Sequence, residues 1–383
     1  MHILLICNTL ALGGAEKYLI ELANQLVAKG HRVSLAFEGK VHHRPGLDPA
    51  VTKVPIQLSN GASKGVMRLF HDSKNFLTLY RYIKKEKVDV VNTVLVASGV
   101  WGWMSGFAAG IPVVHTPMHV FDNSMPTNRF LFTNKIMKMG LLRALSLEFI
   151  AWSNFFEWEL RGILGKQAKI HLAPLSIDGK AWQPGAPDLA LKRSLGLKDG
   201  PVLGCIGGLR LEKGHDKILS SMPSILKRCP DAQLMIVGDG VRRDFLEGMV
   251  KKLGIQESVV FAGFRTDTVA LTNLMDVYIQ ATDGPNLGYS SLQAIAQGKP
   301  VVTYARSDLE WRMAEDNVEH GANGYIVYTD DFDKAGTTIG ELLTSPETLE
   351  KMGKHSRRFA EKNFMKTSHV SHVIQVYRTV TQS

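Results

Sequence analysis

Pro201-Val202-Leu203-Gly204-Cys205-Ile206-Gly207-Gly208-Leu209-Arg210-Leu211-Glu212-Lys213-Gly214 is the stretch on which the fold turns. Val202–Ile206 is an apolar run of strand length without polar alternation, the mark of a strand buried on both faces. A paired-glycine turn follows it, then a charged segment that reads as the start of a helix. The same strand, turn and helix recur on either side. Downstream, Gln233–Val237, Val259–Phe261, Val277–Gln280 and Val301–Thr303 read as strands with helical segments between them. Upstream, Ile3–Cys7, Val33–Phe37, Val88–Asn92 and Ile111–His115 do the same. Leu19, Leu22, Ala23 and Leu26 mark a helical face that stops at Gly30, and Val370, Val373, Ile374 and Tyr377 mark another near the end. Strands alternating with helices predict parallel sheets covered by helices on both faces.

The chain has 383 residues, more than one ordinary core organises, so two domains are expected. The break falls in His171–Pro187, where Pro174, Gly179, Pro184, Gly185 and Pro187 interrupt any periodicity. The expected architecture is α/β, two open doubly wound domains facing each other across a cleft. The first domain is residues 1–176 and the second 177–365, with a last helix within 366–383 packing back toward the first. A hydrophobic fraction of 45% excludes a disordered chain. Cys7, Cys205 and Cys229 are too few for a disulfide framework or a four-cysteine zinc site, and their apolar neighbours predict buried thiols. No histidine cluster has metal-ligand spacing, and no nucleophile elbow or paired carboxylate stands out. The first residues lack the basic lead and long apolar run of a secretory signal. Val90–Val114 is 25 residues without a charge, yet its Gly, Asn and Pro divide it into strand, helix at 96–109, and strand, rather than a membrane span. A cytoplasmic protein is expected.

Residues 1–176 carry 20 Lys and Arg against 11 Asp and Glu, whereas 177–383 carry 25 of each. The whole excess of +9 therefore lies in the first half. That asymmetry points to an anionic partner for this half, or to solvated charge serving solubility. Residues 123–147 hold Arg129, Lys135, Lys138 and Arg143, no acid, and Phe130, Leu131, Phe132, Met137, Leu141 and Leu142. The stretch reads as a surface meeting an anionic membrane, or as a buried helix. Nucleic acid is not an expected partner, since no aromatic or helical recognition pattern accompanies the charge.

In open α/β sheets ligands sit at the carboxyl ends of strands, so the loops there are the candidate sites. Gly13-Gly14-Ala15-Glu16 is a glycine turn into a helix start that favours an anion, though a plain turn has the same letters. It is neither Gly-x-Gly-x-x-Gly nor a P-loop. His115-Thr116-Pro117-Met118-His119 ends a strand, where His119 reads either as a donor to a sugar hydroxyl or phosphate or as a structural histidine satisfied within the fold. In Gly207–Gly214, Arg210 and Lys213 offer cations for a diphosphate, or form a basic helix cap. Asp283-Gly284-Pro285-Asn286-Leu287-Gly288-Tyr289-Ser290 leads into a short helix whose first amides form a further anion site.

Taken in order, these motifs make the sequence resemble a family-4 glycosyltransferase of the two-domain GT-B architecture, two facing Rossmann-like domains. The resemblance covers nearly the whole chain. Its N-terminal part is Gly13-Gly14-Ala15-Glu16 with Lys29-Gly30-His31-Arg32-Val33, and its linker is Ala173-Pro174-Leu175-Ser176-Ile177-Asp178. The C-terminal part is Glu212-Lys213-Gly214, Ile236-Val237-Gly238-Asp239-Gly240, Phe261-Ala262-Gly263-Phe264 and Gln293-Ala294-Ile295-Ala296-Gln297-Gly298-Lys299-Pro300-Val301. The resemblance implies a hexosyltransferase that takes a nucleotide-sugar donor, a UDP-sugar above all, in the C-terminal domain. It implies a glycan or lipid-linked acceptor at the N-terminal domain, retention of anomeric configuration, no metal and no cofactor. The setting it implies is cell-surface polysaccharide or glycolipid synthesis, with the protein cytoplasmic and peripheral on the inner face of the membrane.

The matching residues take the family's roles. Lys213 binds the donor diphosphate, Gly13 and Gly14 close over the phosphates, and His119 contacts the transferred sugar. Residues around Gly263 and Phe264 hold the base, and Gly288, Tyr289 and Ser290 cap the phosphates. Three positions depart. Gly208 stands where the family has Arg, with Arg210 near enough to substitute. Gln293 stands where the family has the second of two Glu. Pro285 stands at the first, with Asp283 two residues earlier as a replacement if the loop bulges. Asn286 and Leu287 complete the expected donor loop. These departures keep two further readings open: a nucleotide-sugar-binding or assembly protein without catalysis, and a nucleotide-sugar epimerase on the same architecture.

Overall fold

The computed structural model describes residues 1–7, 14–38, 46–56, 66–94, 96–117, 147–282, 288–329, 331–365 and 368–382. The chain divides into two compact units, Met1–Leu175 with Thr367–Ser383, and Ser176–Lys366.

The first unit carries β1 (His2–Ile6), β2 (Arg32–Glu38), β3 (Thr52–Ile56), β4 (Val90–Val94), β5 (Val113–Thr116), β6 (Glu148–Ala151) and β7 (Lys169–Leu172). They form one parallel sheet in the order β3-β2-β1-β4-β5-β6-β7. Every residue of β1, β4 and β5 is buried, the polar His2, Asn92, Thr93, His115 and Thr116 included, as suits strands between two helical layers. Leu19, Leu22, Ala23 and Leu26 of the helix Gly14–Ala28 are buried, as their spacing predicts. The charge-free stretch resolves into β4, the helix Val96–Ala109 and β5. Glycine there is a packing device. A Cβ at Gly102 would lie 2.5 Å from Thr93 Cγ2, and one at Gly106 would lie 2.3 Å from Val113 Cγ2, so the helix rests on the sheet closer than any side chain allows. Among the described residues no helix is long and apolar enough to cross a membrane. The last helix, His369–Gln382, buries Val370, Val373, Ile374 and Tyr377 in this unit. Its His369 bonds the Tyr18 hydroxyl through Nε2 (2.7 Å) and the Ala173 carbonyl through Nδ1 (2.9 Å).

The second unit carries β8 (Val202–Ile206), β9 (Gln233–Val237), β10 (Val259–Gly263), β11 (Val277–Gln280), β12 (Val301–Ala305) and β13 (Gly324–Tyr328). Their order is β10-β9-β8-β11-β12-β13, again all parallel. The direction of winding reverses between β8 and β11, where Leu203 faces Val277. In sheets of this kind that reversal opens a crevice at the carboxyl ends. The core gathers Leu203, Leu234, Ile236 and Ile279 of the sheet with Ile218, Leu219 and Met222 of the helix His215–Arg228.

Strand positions read from the sequence hold to within two residues; β4 begins at Val90 rather than Val88. β3, β6, β7 and β13 were not anticipated. Two of them, β3 and β7, are edge strands without a continuous apolar run: β3 contains Lys53 and Pro55, and the ends of β7 are exposed. The three cysteines are buried, as their neighbours predict.

Candidate functional site

The candidate site is built in the second unit, on the loops that leave β8, β9, β10 and β11. The loop after β8 is stitched to its neighbours by the backbone. Gly207 N–H donates to Val237 O (2.9 Å), Leu209 N–H to Asp239 O (2.9 Å), and Gly238 N–H to Gly263 O (2.8 Å). A single 3₁₀ turn, Leu211–Lys213, then ends at Gly214 in the left-handed region, with φ 64°. A Cβ on Gly214 would lie 1.9 Å from Ala281 O, just past β11. Glycine is therefore required twice over, for its dihedral and for the contact that draws the Lys213 turn onto the end of β11.

Lys213 is half-buried, and its stem passes over Gly207, whose Cβ position lies 3.8 Å from Lys213 Cδ. Burial holds its ammonium below the usual lysine range; Arg210 adds to that and Glu212 opposes it. Among the described residues no carboxylate or carbonyl accepts from its Nζ. Arg210 is exposed and differently engaged, its Nε 2.7 Å from Glu212 Oε1. Gly208 leaves room: a Cβ there meets only Asp239 O, at 3.7 Å. Gly263 ends β10, and the Phe264 ring after it is 78% exposed at the same end of the sheet.

Across the reversal, the helix Tyr289–Ala296 begins at Gly288 with no side-chain cap. Ser291 turns its hydroxyl back to Gly288 O (2.8 Å) and so leaves the axis open. Gln293 is half-buried one turn along. First-turn amides and the helix dipole favour an anion there. The structure thus brings Lys213, Gly214, Gly288, Tyr289, Ser290 and Gln293 to the carboxyl ends of the adjacent strands β8 and β11. Gly14 lies in the other unit, at the start of its first described helix. Gly13, His119, Asp283, Asn286 and Leu287 lie outside the described residues.

Two features escaped the sequence reading. His215 follows Gly214, is buried, and has its Nδ1 without a partner among the described residues. Burial, with Lys213 and Arg242 nearby, pushes its pKa down to about 4, so the ring is neutral beside Lys213 at physiological pH. The second feature is the polar face of β11. Tyr278, Gln280 and the following Thr282 are all buried, and polar letters at alternate positions of an apolar strand were the available signal. His115, in the other unit, is fully buried in β5, with Nδ1 2.8 Å from Thr93 Oγ1 and its pKa pushed down to about 3 by burial.

Comparison with known proteins adds a second line. Residues 12–180 match the Glycosyltransferase Family 4 model and residues 189–359 match Glycosyl transferases group 1. The chain belongs to the group 1, family 4 glycosyltransferases. A relative of this chain in Mycolicibacterium smegmatis, a GDP-mannose-dependent alpha-(1-6)-phosphatidylinositol monomannoside mannosyltransferase, is 31% identical over 210 residues. The match covers 52% of this chain and 54% of the relative. The chain thus spans about half the length of the curated relatives it matches. Two solved structures share the fold over its full length. A glycosyltransferase from Rickettsia africae has a TM-score of 0.81 at 19% identity, covering 100% of this chain and 99% of that one. Anabaena Alr3699/HepE in complex with UDP and glucose has a TM-score of 0.80 at 18% identity, covering 100% of both. These neighbours place the fold of the chain among GT-B proteins.

Proposed function

We propose that the protein transfers a hexose from a nucleotide-sugar to a glycan or lipid-linked acceptor, with retention at the anomeric carbon and without a metal or cofactor. The observation that carries this reading is the pairing of an ammonium with no described acceptor and an uncapped helix start at one switch point. Breaking the bond between the anomeric carbon and the diphosphate requires a home for the departing charge. Lys213 and the amides at Gly288–Ser290 supply it without reorganising during the reaction. The acceptor hydroxyl attacks from the face the diphosphate leaves, and a diphosphate oxygen takes its proton, so no carboxylate base is needed. Phe264 and Gly263 serve the base and Gln293 accepts from a ribose hydroxyl, while His119, Gly13 and Gly14 keep the roles that the family resemblance implies for them.

A UDP-sugar is the expected donor, and the Mycolicibacterium smegmatis relative brings GDP-mannose into contention. Its name also supports a lipid-linked acceptor, which suits the basic first half and a peripheral place on an anionic membrane. Lys213→Ala is expected to lower turnover on the order of 10²–10³-fold. Turnover close to wild type in that variant would remove Lys213 from the role. Calorimetry with UDP- and GDP-sugars names the nucleotide, and flotation with anionic against neutral vesicles tests the membrane. A second reading, a donor-binding protein without transfer, is favoured by the Arg210–Glu212 pair and the uncharged Gln293. It predicts nucleotide binding with neither transfer nor donor hydrolysis.

A further inference from the structure

β11 lies at the winding reversal, and its two faces differ in kind. Val277, Ile279 and Ala281 join the apolar core shared with the helix His215–Arg228. Tyr278, Gln280 and Thr282 alternate with them and are buried on the other face. The helix Tyr289–Ala296 packs on β11 and β12, and its buried Leu292 and Ile295 stand outside that core, so it covers the polar face. Buried polar groups are costly unless bonded, so each proton on this face needs an acceptor.

The protons can be followed along the strand. The Tyr278 hydroxyl has two acceptors within reach, Gln280 Oε1 at 3.3 Å and Ile206 O at 3.4 Å. Gln280 Nε2 in turn donates to Thr282 Oγ1. An amide nitrogen only donates, so the Thr282 oxygen is the acceptor in that bond and the Thr282 proton is left over. Among the described residues nothing accepts this proton, although Thr282 is only 9% exposed. Thr272, equally buried in the same unit, shows the usual arrangement: its hydroxyl donates to Thr268 O (2.8 Å).

The relay therefore runs one way, toward the carboxyl end of β11, and finishes in an unspent O–H. Ala281, just before it, is the residue whose carbonyl meets the Lys213 turn at Gly214. The helix on its own face starts at Gly288 without a side-chain cap. An ammonium, a helix start and a hydroxyl proton thus gather at the end of one strand, and all three favour an anionic oxygen.

We propose that Thr282 donates its hydroxyl proton to an oxygen of the sugar donor's diphosphate. That role rests on the reading of this crevice as the donor site.

Calorimetry of UDP and GDP on the full chain tests it. Thr282→Val keeps the shape and removes the hydroxyl, Thr282→Ser keeps the hydroxyl, and Thr272→Val is the control. Thr282→Val and Thr272→Val each break one buried bond, so both should lower the melting temperature. Only Thr282→Val should weaken nucleotide binding, by about 10- to 100-fold, the scale of a hydrogen bond to a charged group. Thr282→Ser should bind close to wild type. Thr282→Ala should show the same loss as Thr282→Val and replaces it if that variant does not fold. Wild-type affinity without the hydroxyl, or an equal loss in Thr282→Ser or in Thr272→Val, would overturn the proposal. A wild-type protein that binds neither nucleotide would end the donor-site reading and the role of Thr282 with it, whereas binding that survives removal of the hydroxyl ends that role alone.

Discussion

The two units wind their sheets in the same order around the first strand, yet they place buried polarity differently. In the first unit the polar residues of β4 are tied off within the core. Asn92 Nδ2 donates to the Tyr377 hydroxyl, and its Oδ1 accepts from Thr116 Oγ1 (3.1 Å). Thr93 Oγ1 accepts from Trp103 Nε1 (2.9 Å) and bonds to His115. These bonds lash helices onto the sheet. In the second unit the polar face of β11 leads to a helix start with no side-chain cap, beside a lysine with no described acceptor. The same topology therefore carries two uses of polarity. Where buried polar side chains bond one another inside, the residues hold the fold; where donors remain at the strand ends, the site has capacity for an anion.

The largest effect that should separate the units comes from glycine. Gly214→Ala forces a left-handed dihedral on a residue with a Cβ and drives that Cβ into Ala281 O. A loss of at least about 3 kcal/mol is expected, with nucleotide binding abolished. Gly110→Ala in the first unit has a similar φ of 71° but nothing within 4 Å of the new Cβ. It should cost only about 1–2 kcal/mol. Urea titrations of both variants check this, and equal losses would deny that the Lys213 turn is pinned to β11.

Acid should separate the units next. Burial pushes the pKa of His115 down to about 3 and that of His369 to about 4, both in the first unit; His215, in the second, is also near 4. Unfolding restores each to about 6.5, so below that pH the unfolded chain binds protons that the folded chain refuses. Stability contributed by these rings is complete above about pH 6.5 and declines as pH falls toward 4. The decline is up to about 1.4 kcal/mol per pH unit for each ring. The first unit, with two such rings, should lose protection against amide exchange more steeply between pH 7 and 5. His369→Gln should roughly halve its slope, and a slope identical to wild type would mean that His369 already titrates normally.

The fold was legible because parallel strands buried on both faces must be apolar throughout, and Ile3–Ile6, Val202–Ile206 and Gln233–Val237 announce themselves in that way. The edge strands β3 and β7 escaped because water meets one side of them, so Lys53 and the exposed ends of β7 break the pattern. The candidate site was legible where backbone sets the geometry: the left-handed glycine at 214 that closes the turn after Lys213, and the helix start at Gly288. What sequence left open depends on side-chain direction. Arg210 stands close to Lys213 in the chain, but whether its guanidinium faces a ligand or Glu212 is a matter of rotamer, and the letters are the same for both. Tyr278 and Gln280 carried a signal in their alternation, but it was absorbed into the reading of β11 as one more buried strand.

Arg210 and Gly208 supply the finest comparison, a cation present but turned aside against a cation missing where there is room for one. The Arg210 guanidinium is half-exposed and already held by Glu212, and such surface pairs contribute little. Arg210→Ala should therefore change turnover less than about threefold. Gly208 has no positive φ to defend, and a side chain there meets only an ordinary contact at Asp239 O. Gly208→Arg should fold with a melting temperature close to wild type. If the diphosphate lies between Lys213 and the helix start, the new guanidinium should tighten UDP or GDP binding by about three- to tenfold, with the gain shrinking as salt is raised. Calorimetry at two ionic strengths reads both variants. A loss of a hundredfold in Arg210→Ala would show that Glu212 releases the arginine when donor binds, and the pair would then belong to the site's chemistry rather than to its surface.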